Sequence, residues 1–199
     1  MNKNIRKELR NHAPFTSFGA ITGIIIMLLF YKIPFRASHA IFYILHPVHV
    51  LLSAFVTASM YRLYTKEKWW KVVIIGYVGS IGIATLSDSI IPFLGEWLLK
   101  LPNKGIHLGF IEKWYIVNPL AFLGIVFSFL KPTTKLPHSG HVLLSTWASL
   151  FHIMMALGGI ISILRVFVIF VFLFIAVWFP CCLSDIIFPL LFVKESSEE

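Results

Sequence analysis

Charge is what this sequence has least of. Asp, Glu, Lys and Arg make up 13% of its 199 residues, about half the roughly 25% of a soluble domain. Apolar residues make up 58%. So few charges cannot cover a globular surface, which excludes a soluble enzyme and a disordered tail. Acidic residues are scarcest. Nine Asp and Glu stand against 17 Lys and Arg, for a net charge of +8, and Asp88 and Asp185 are the only aspartates. The positive excess does not point to nucleic acid. The basic residues lie scattered in the gaps between apolar runs, as in membrane loops rather than on a phosphate-binding face. The cysteines, Cys181 and Cys182, are adjacent, and neighbours on a helix point apart, so no structural disulfide joins them. No HExxH motif occurs, and no glutamate falls inside an expected span. No small-residue cleavage site follows the first apolar run, and Lys32 and Arg36 come soon after it. That run reads as a retained span rather than a signal peptide.

What is present is a series of apolar runs. A membrane-spanning helix needs about 20 mainly apolar residues. Six candidates follow one another: Phe15 to Tyr31, Ala40 to Tyr61, Val72 to Leu94, Trp114 to Leu130, His141 to Leu164 and Val166 to Val193. The last carries Pro180 and Pro189, which predicts a kink or break near its end. Arg165 alone separates the last two runs. The stretch from Glu96 to Lys113 suits a short interfacial piece, with Trp97 and Trp114 at headgroup level. With both termini cytoplasmic, 11 basic residues fall inside and six outside, which agrees with the positive-inside rule. The expectation is an all-α polytopic protein of a plasma (inner) membrane, in contact with membrane lipid. Six spans make a small bundle, with which a homodimer is compatible.

A duplication gives the chain its plan. The stretch His46-Pro-Val-His49-Val-Leu-Leu-Ser53 matches His138-Ser-Gly-His141-Val-Leu-Leu-Ser145 at six of eight positions. Further on, Leu86-Ser-Asp88-Ser-Ile-Ile-Pro92 matches Leu183-Ser-Asp185-Ile-Ile-Phe-Pro189 at five of seven. A weaker echo links Ala20-Ile-Thr-Gly23 to Ala121-Phe-Leu-Gly124. Apolar runs resemble one another by chance, so the polar identities carry the weight. Both aspartates and four of the eight histidines fall at repeated places. Each half then holds three spans, and an odd number inverts the second half relative to the first, a plan many transporters use. The expected organisation is a basic N-terminus (1–14), a first three-helix repeat (15–95), a connecting loop (96–113), a second repeat (114–193) and a polar tail (194–199).

The repeated residues define the candidate site: His46, His49 and Asp88 in the first half, His138, His141 and Asp185 in the second. Histidines three apart share a helix face. At 1.5 Å per residue His46 lies about 24 Å from Arg62 and Asp88 about 26 Å from Lys71. The first set therefore meets in one leaflet, and the inverted half places the second set in the other. Two histidines and a carboxylate suit a divalent transition metal such as zinc, iron or manganese. An ionisable residue within a span is costly and marks a functional site by default. A structural tie between helices is the competing reading of the same residues.

The other polar residues carry less. Ser53, Ser87, Ser145 and Ser184 read as helix glue, and Cys181, four before Asp185, as an added soft ligand. His152 reads as a relay or core histidine, and His12, His39 and His107 as loop residues. Gly76, Gly79 and Gly82 permit close helix contact. The function this favours is a metal-ion transporter. An intramembrane metal-dependent hydrolase or a non-catalytic scaffold are the alternatives.

Overall fold

A computed structural model describes residues 2–65, 68–133, 135–159, 161–183 and 187–193; within these, the side chains of 2–9, 11–12, 135–138 and 182 are outside the description. The described residues contain helices and no strand. In chain order they are α1 (Asn2–Phe30), α2 (Phe35–Tyr64), α3 (Trp69–Thr85), a π-helical turn (Leu86–Ile90), α4 (Ile91–Leu98), α5 (Gly109–Glu112), α6 (Trp114–Leu130), α7 (Lys135–Ala156), α8 (Ile163–Cys182) and α9 (Phe188–Leu190). The third expected span is thus a single rod, α3 running through the π turn into α4.

Four helical stretches are long and apolar enough to cross a membrane: Ala13–Phe30, Phe35–Tyr64, Trp69–Leu98 and Ile163–Cys181. These support membrane insertion. Of the six expected spans, Trp114–Leu130 is shorter, at 17 residues, and α7 is not among the four. The reason is visible in its sequence. Helix α7 carries Ser145, Thr146, Ser149, His141 and His152, all buried. It packs on α1, α2, α4 and α8, so its polar side chains face protein.

The fifth expected span is displaced. Its helix starts at Lys135 rather than His141 and ends at Ala156 rather than Leu164. Gly158 and Gly159, at φ 62° and 76°, end it, in the left-handed region that glycine enters without penalty. The break between the last two spans therefore lies at this pair and not at Arg165. Helix α2 instead runs long. Its 30 residues span about 45 Å, more than a hydrocarbon core of about 30 Å, and Pro47 sits within it without ending it.

Two buried clusters form the interior. One gathers Ala20 and Met27 of α1 with Leu150 and Ile153 of α7 and Ile169 and Leu173 of α8. The other gathers Val50, Ala54 and Ala58 of α2 with Ile75 of α3 and Ala121 and Ile125 of α6. Helix α1 of the first half thus packs on the last two long helices of the second. Helix α6 of the second half packs on α2 and α3 of the first. Each half lends its first helix to the other. The stretch 96–113, which holds the end of α4 and all of α5, separates the two halves in sequence but not in packing.

The duplication also has a local counterpart. Leu183 and Ile187, which match Leu86 and Ile90, are likewise in π-helical geometry. Pro92 and Pro189 each stand in the first turn of the short helix that follows, where a missing N–H costs nothing.

The small residues of the echo are packing devices. Ala20 and Ala121 are fully buried. A Cβ at Gly124 would run into the Leu51 carbonyl and meet Ala54 Cβ at 3.1 Å, whereas one at Gly82 meets nothing within 4 Å. Gly76 and Gly79 do sit at close helix contacts, against Ala58 and Thr57, but Gly82 faces outward. Gly124→Val is therefore expected to destabilise the protein by about 1–3 kcal/mol through overpacking, read as a lower melting temperature in detergent. Gly82→Ala should leave the melting temperature unchanged or slightly raised.

Candidate functional site

The π turn places the site. Three consecutive polar residues, Ser87, Asp88 and Ser89, are all fully buried. A π turn adds a residue to a helical turn and frees backbone groups, often at functional positions. Here the Ser87 carbonyl accepts from Ser149 Oγ of α7 at 2.9 Å. The three side chains diverge to three partners. Ser89 Oγ donates to the His107 carbonyl at 2.6 Å, Ser87 lies against α7, and Asp88 points at α2.

Four donors converge on Asp88. His46 Nδ1 lies 2.9 Å and His49 Nδ1 2.6 Å from Oδ2. Ser87 Oγ and Ser145 Oγ donate to Oδ1 at 2.7 and 2.8 Å. An ionised carboxylate only accepts, so beside an ionised Asp88 each Nδ1 is the donor. Nothing but donors faces the group, which is the arrangement an ionised carboxylate needs in an apolar interior. Pro47 does not turn either histidine away.

His141 is buried beside this centre, its ring centroid 5.7 Å from that of His49. His141 of the second half therefore lies next to the first half's set. Ser145 of the second half bonds the aspartate of the first, and the matching histidines meet. The physical reason is helix length. Because α2 begins five residues before Ala40 and α7 six before His141, about 8–9 Å at 1.5 Å per residue, His49 falls mid-helix and His141 well inside. The depth count from Arg62 and Lys71, which brought His46 and Asp88 to one level, agrees with their contact. Asp185, Ser184 and the His138 side chain lie outside the described residues. Cys181 is buried.

A second group was read as unremarkable. His39, His107 and Glu112 bring ligand atoms within 4.8 Å of one another, as do His46, His49 and Asp88. His107 Nδ1 lies 3.4 Å from Glu112 Oε2, and the Tyr43 hydroxyl donates to that same oxygen. Glu112 lies outside the spanning segments. Burial pushes its carboxyl up, but bonds from Tyr43 and His107, and the latter's charge, outweigh this and hold it below its ordinary value of 4.5. His39 belongs to α2 rather than to a loop, four residues before Tyr43 and so on the same face.

Between the two groups lies a third. His152 Nδ1 is 2.7 Å from Glu96 Oε1, and both residues are buried. Glu96 Oε2 also accepts from the Gly105 N–H at 3.3 Å. The span ending at Leu94 concealed Glu96. The signal available was one acidic residue in the otherwise apolar stretch Ile90 to Leu99, and a proline able to start a new helix turn.

Comparison with protein-family models, with curated proteins and with solved structures finds no match. The site must be read from its own chemistry. Its nitrogen and carboxylate donors fit a transition metal ion, and a neutral imidazole offers a metal whichever ring nitrogen does not carry the proton. Removal of one donor to the buried carboxylate tests its dependence on α7. Ser145→Ala is expected to cost about 1.5–3 kcal/mol, the range for a hydrogen bond to a charged group, measured by thermal unfolding in detergent. Ser17→Ala, which deletes only a back-bond to the Ala13 carbonyl, should shift the transition by less.

Proposed function

We propose that this is a membrane-embedded carrier for a divalent transition metal ion, with His46, His49 and Asp88 as its central donors. The observation that carries the reading is the burial of this centre amid apolar helices, where donors from both repeats converge. The helices α2 and α7 run antiparallel, since Phe42 meets His152 and His49 meets His141. Equivalent histidines facing each other across antiparallel helices fit a pseudo-two-fold axis in the membrane plane. The exchanged helices α1 and α6 fit the same axis. In this reading the chain has six spans in two inverted halves, with both termini cytoplasmic. His138, His141 and Asp185 supply the symmetric donors, and the cation passes from one half's ligands to the other's. Zinc, iron and manganese are the cargo classes the donors suit. Proton coupling in this reading runs through Asp88 and Asp185.

The intramembrane hydrolase is favoured by one observation: a single shared centre, with a buried Glu96 nearby on the same rod as Asp88. In it the metal would supply an activated water.

Elemental analysis of the purified protein is expected to show bound transition metal. His49→Ala plus His141→Ala, folded by the thermal-unfolding criterion, should hold one equivalent less. Cation flux into proteoliposomes should be lost in Asp88→Asn plus Asp185→Asn. Flux unchanged in that variant overturns the carrier. Metal-dependent turnover of a lipid ester, without flux, would replace it with the hydrolase.

A further inference from the structure

The group at the other end of the polar stripe carries an inference of its own. Along α2, His39, Phe42, His46 and His49 recur three and four apart and share one face. The inner pair belongs to the buried centre. His39 stands at the opposite end, near the start of the helix, where the structure opens. His107 is about one-fifth exposed and Glu112 about two-fifths, at 19% and 39%.

These donors are held in place. The His107 carbonyl is tied by Ser89 Oγ at 2.6 Å, from the residue next to Asp88. Two residues before His107, the Gly105 N–H is tied to Glu96. The Glu112 carboxylate is oriented by the Tyr43 hydroxyl. The His39 ring packs on Tyr43 with centroids 4.6 Å apart and faces the His107 ring edge-on at 5.9 Å. A loop that carried His107 for no purpose would not need anchoring from two buried residues. Inward of it, the His152 ring lies 5.4 Å from that of His107. Its Nδ1 is held by Glu96, and its Nε2 has no hydrogen-bond partner among the described residues. Phe42, fully buried, separates these groups from the centre, stacked on His46 at 5.3 Å and edge-on to His152 at 5.4 Å.

We propose that His39, His107 and Glu112 form a second, solvent-accessible site for a divalent transition metal ion, where the cation is loaded before it reaches the buried centre. Two imidazoles and one carboxylate, partly open, match the donor set of a site that keeps a free position for water or exchange. The Lys113 ammonium, 5.5 Å from the Tyr43 ring, opposes a bound cation, which suits a site that must release its ion. The role in loading rests on the carrier reading. The site itself rests only on its own donors.

Cobalt(II) is the probe, because its visible absorption reports ligation. The full chain is purified in detergent, stripped with chelator and titrated. Wild type is expected to bind one equivalent more than His107→Ala plus Glu112→Gln, and His46→Ala plus His49→Ala should keep the surface equivalent. Tyr43→Phe leaves the ligands intact but removes the orienting hydroxyl, and should weaken the surface equivalent about tenfold. Loss of the equivalent in the surface variant alone supports the site even if the buried centre proves metal-free. Equal stoichiometry and affinity in wild type and the His107/Glu112 variant, or no cobalt bound by wild type, overturns it.

Discussion

A carboxylate in an apolar interior must find donors or give up its charge. Asp88 finds four, from α2, from its own π turn and from α7. The arrangement of the three central helices follows from that requirement. The π turn aims Ser87, Asp88 and Ser89 inward, α2 presents two histidines one turn apart, and α7 presents Ser145 and then Ser149 to the exposed carbonyl. Loss of any one donor leaves a charge short of a partner in a medium that cannot supply water. The polar residues of α7 are thus part of the packing of this bundle.

Much of this was legible in the sequence, and what was not has specific causes. The duplicated His-x-x-His and Leu-Ser-Asp motifs identified His46, His49, Asp88 and His141, which the structure brings together, because polar identities in apolar runs are improbable by chance. Helix edges were less legible. Periodicity and apolar content say where a run is hydrophobic, but α2 and α7 begin before their apolar segments, at Phe35 and Lys135. The later boundaries placed His49 and His141 nearer the starts of their helices on paper than the structure does. His39 and His107 were passed over for a related reason. Neither repeats, and although His107 stands only five residues before Glu112, only the fold brings His39 of α2 to them. Glu96 was hidden by a span boundary drawn two residues too soon.

The two candidate groups differ in physical character. The buried centre is saturated with donors and closed; the surface group is partly solvated and tied to the centre through the backbone of one loop. Ser89 and Glu96 belong to the same rod as Asp88, on either side of Pro92. A shift of that rod moves the anchors of His107 and the ligand at the centre together.

The exchange of first helices constrains how the chain assembles. As synthesis proceeds, α1 emerges with an apolar face whose seat on α7 and α8 does not yet exist, and α2 and α3 wait for α6. The seat of α2 and α3 is filled once α6 is made, whereas that of α1 waits for α8. The packing of α1 on α7 and α8 joins segments more than a hundred residues apart. Polypeptides cut within the 96–113 stretch would have to interlock rather than dock, each capping the other's open core.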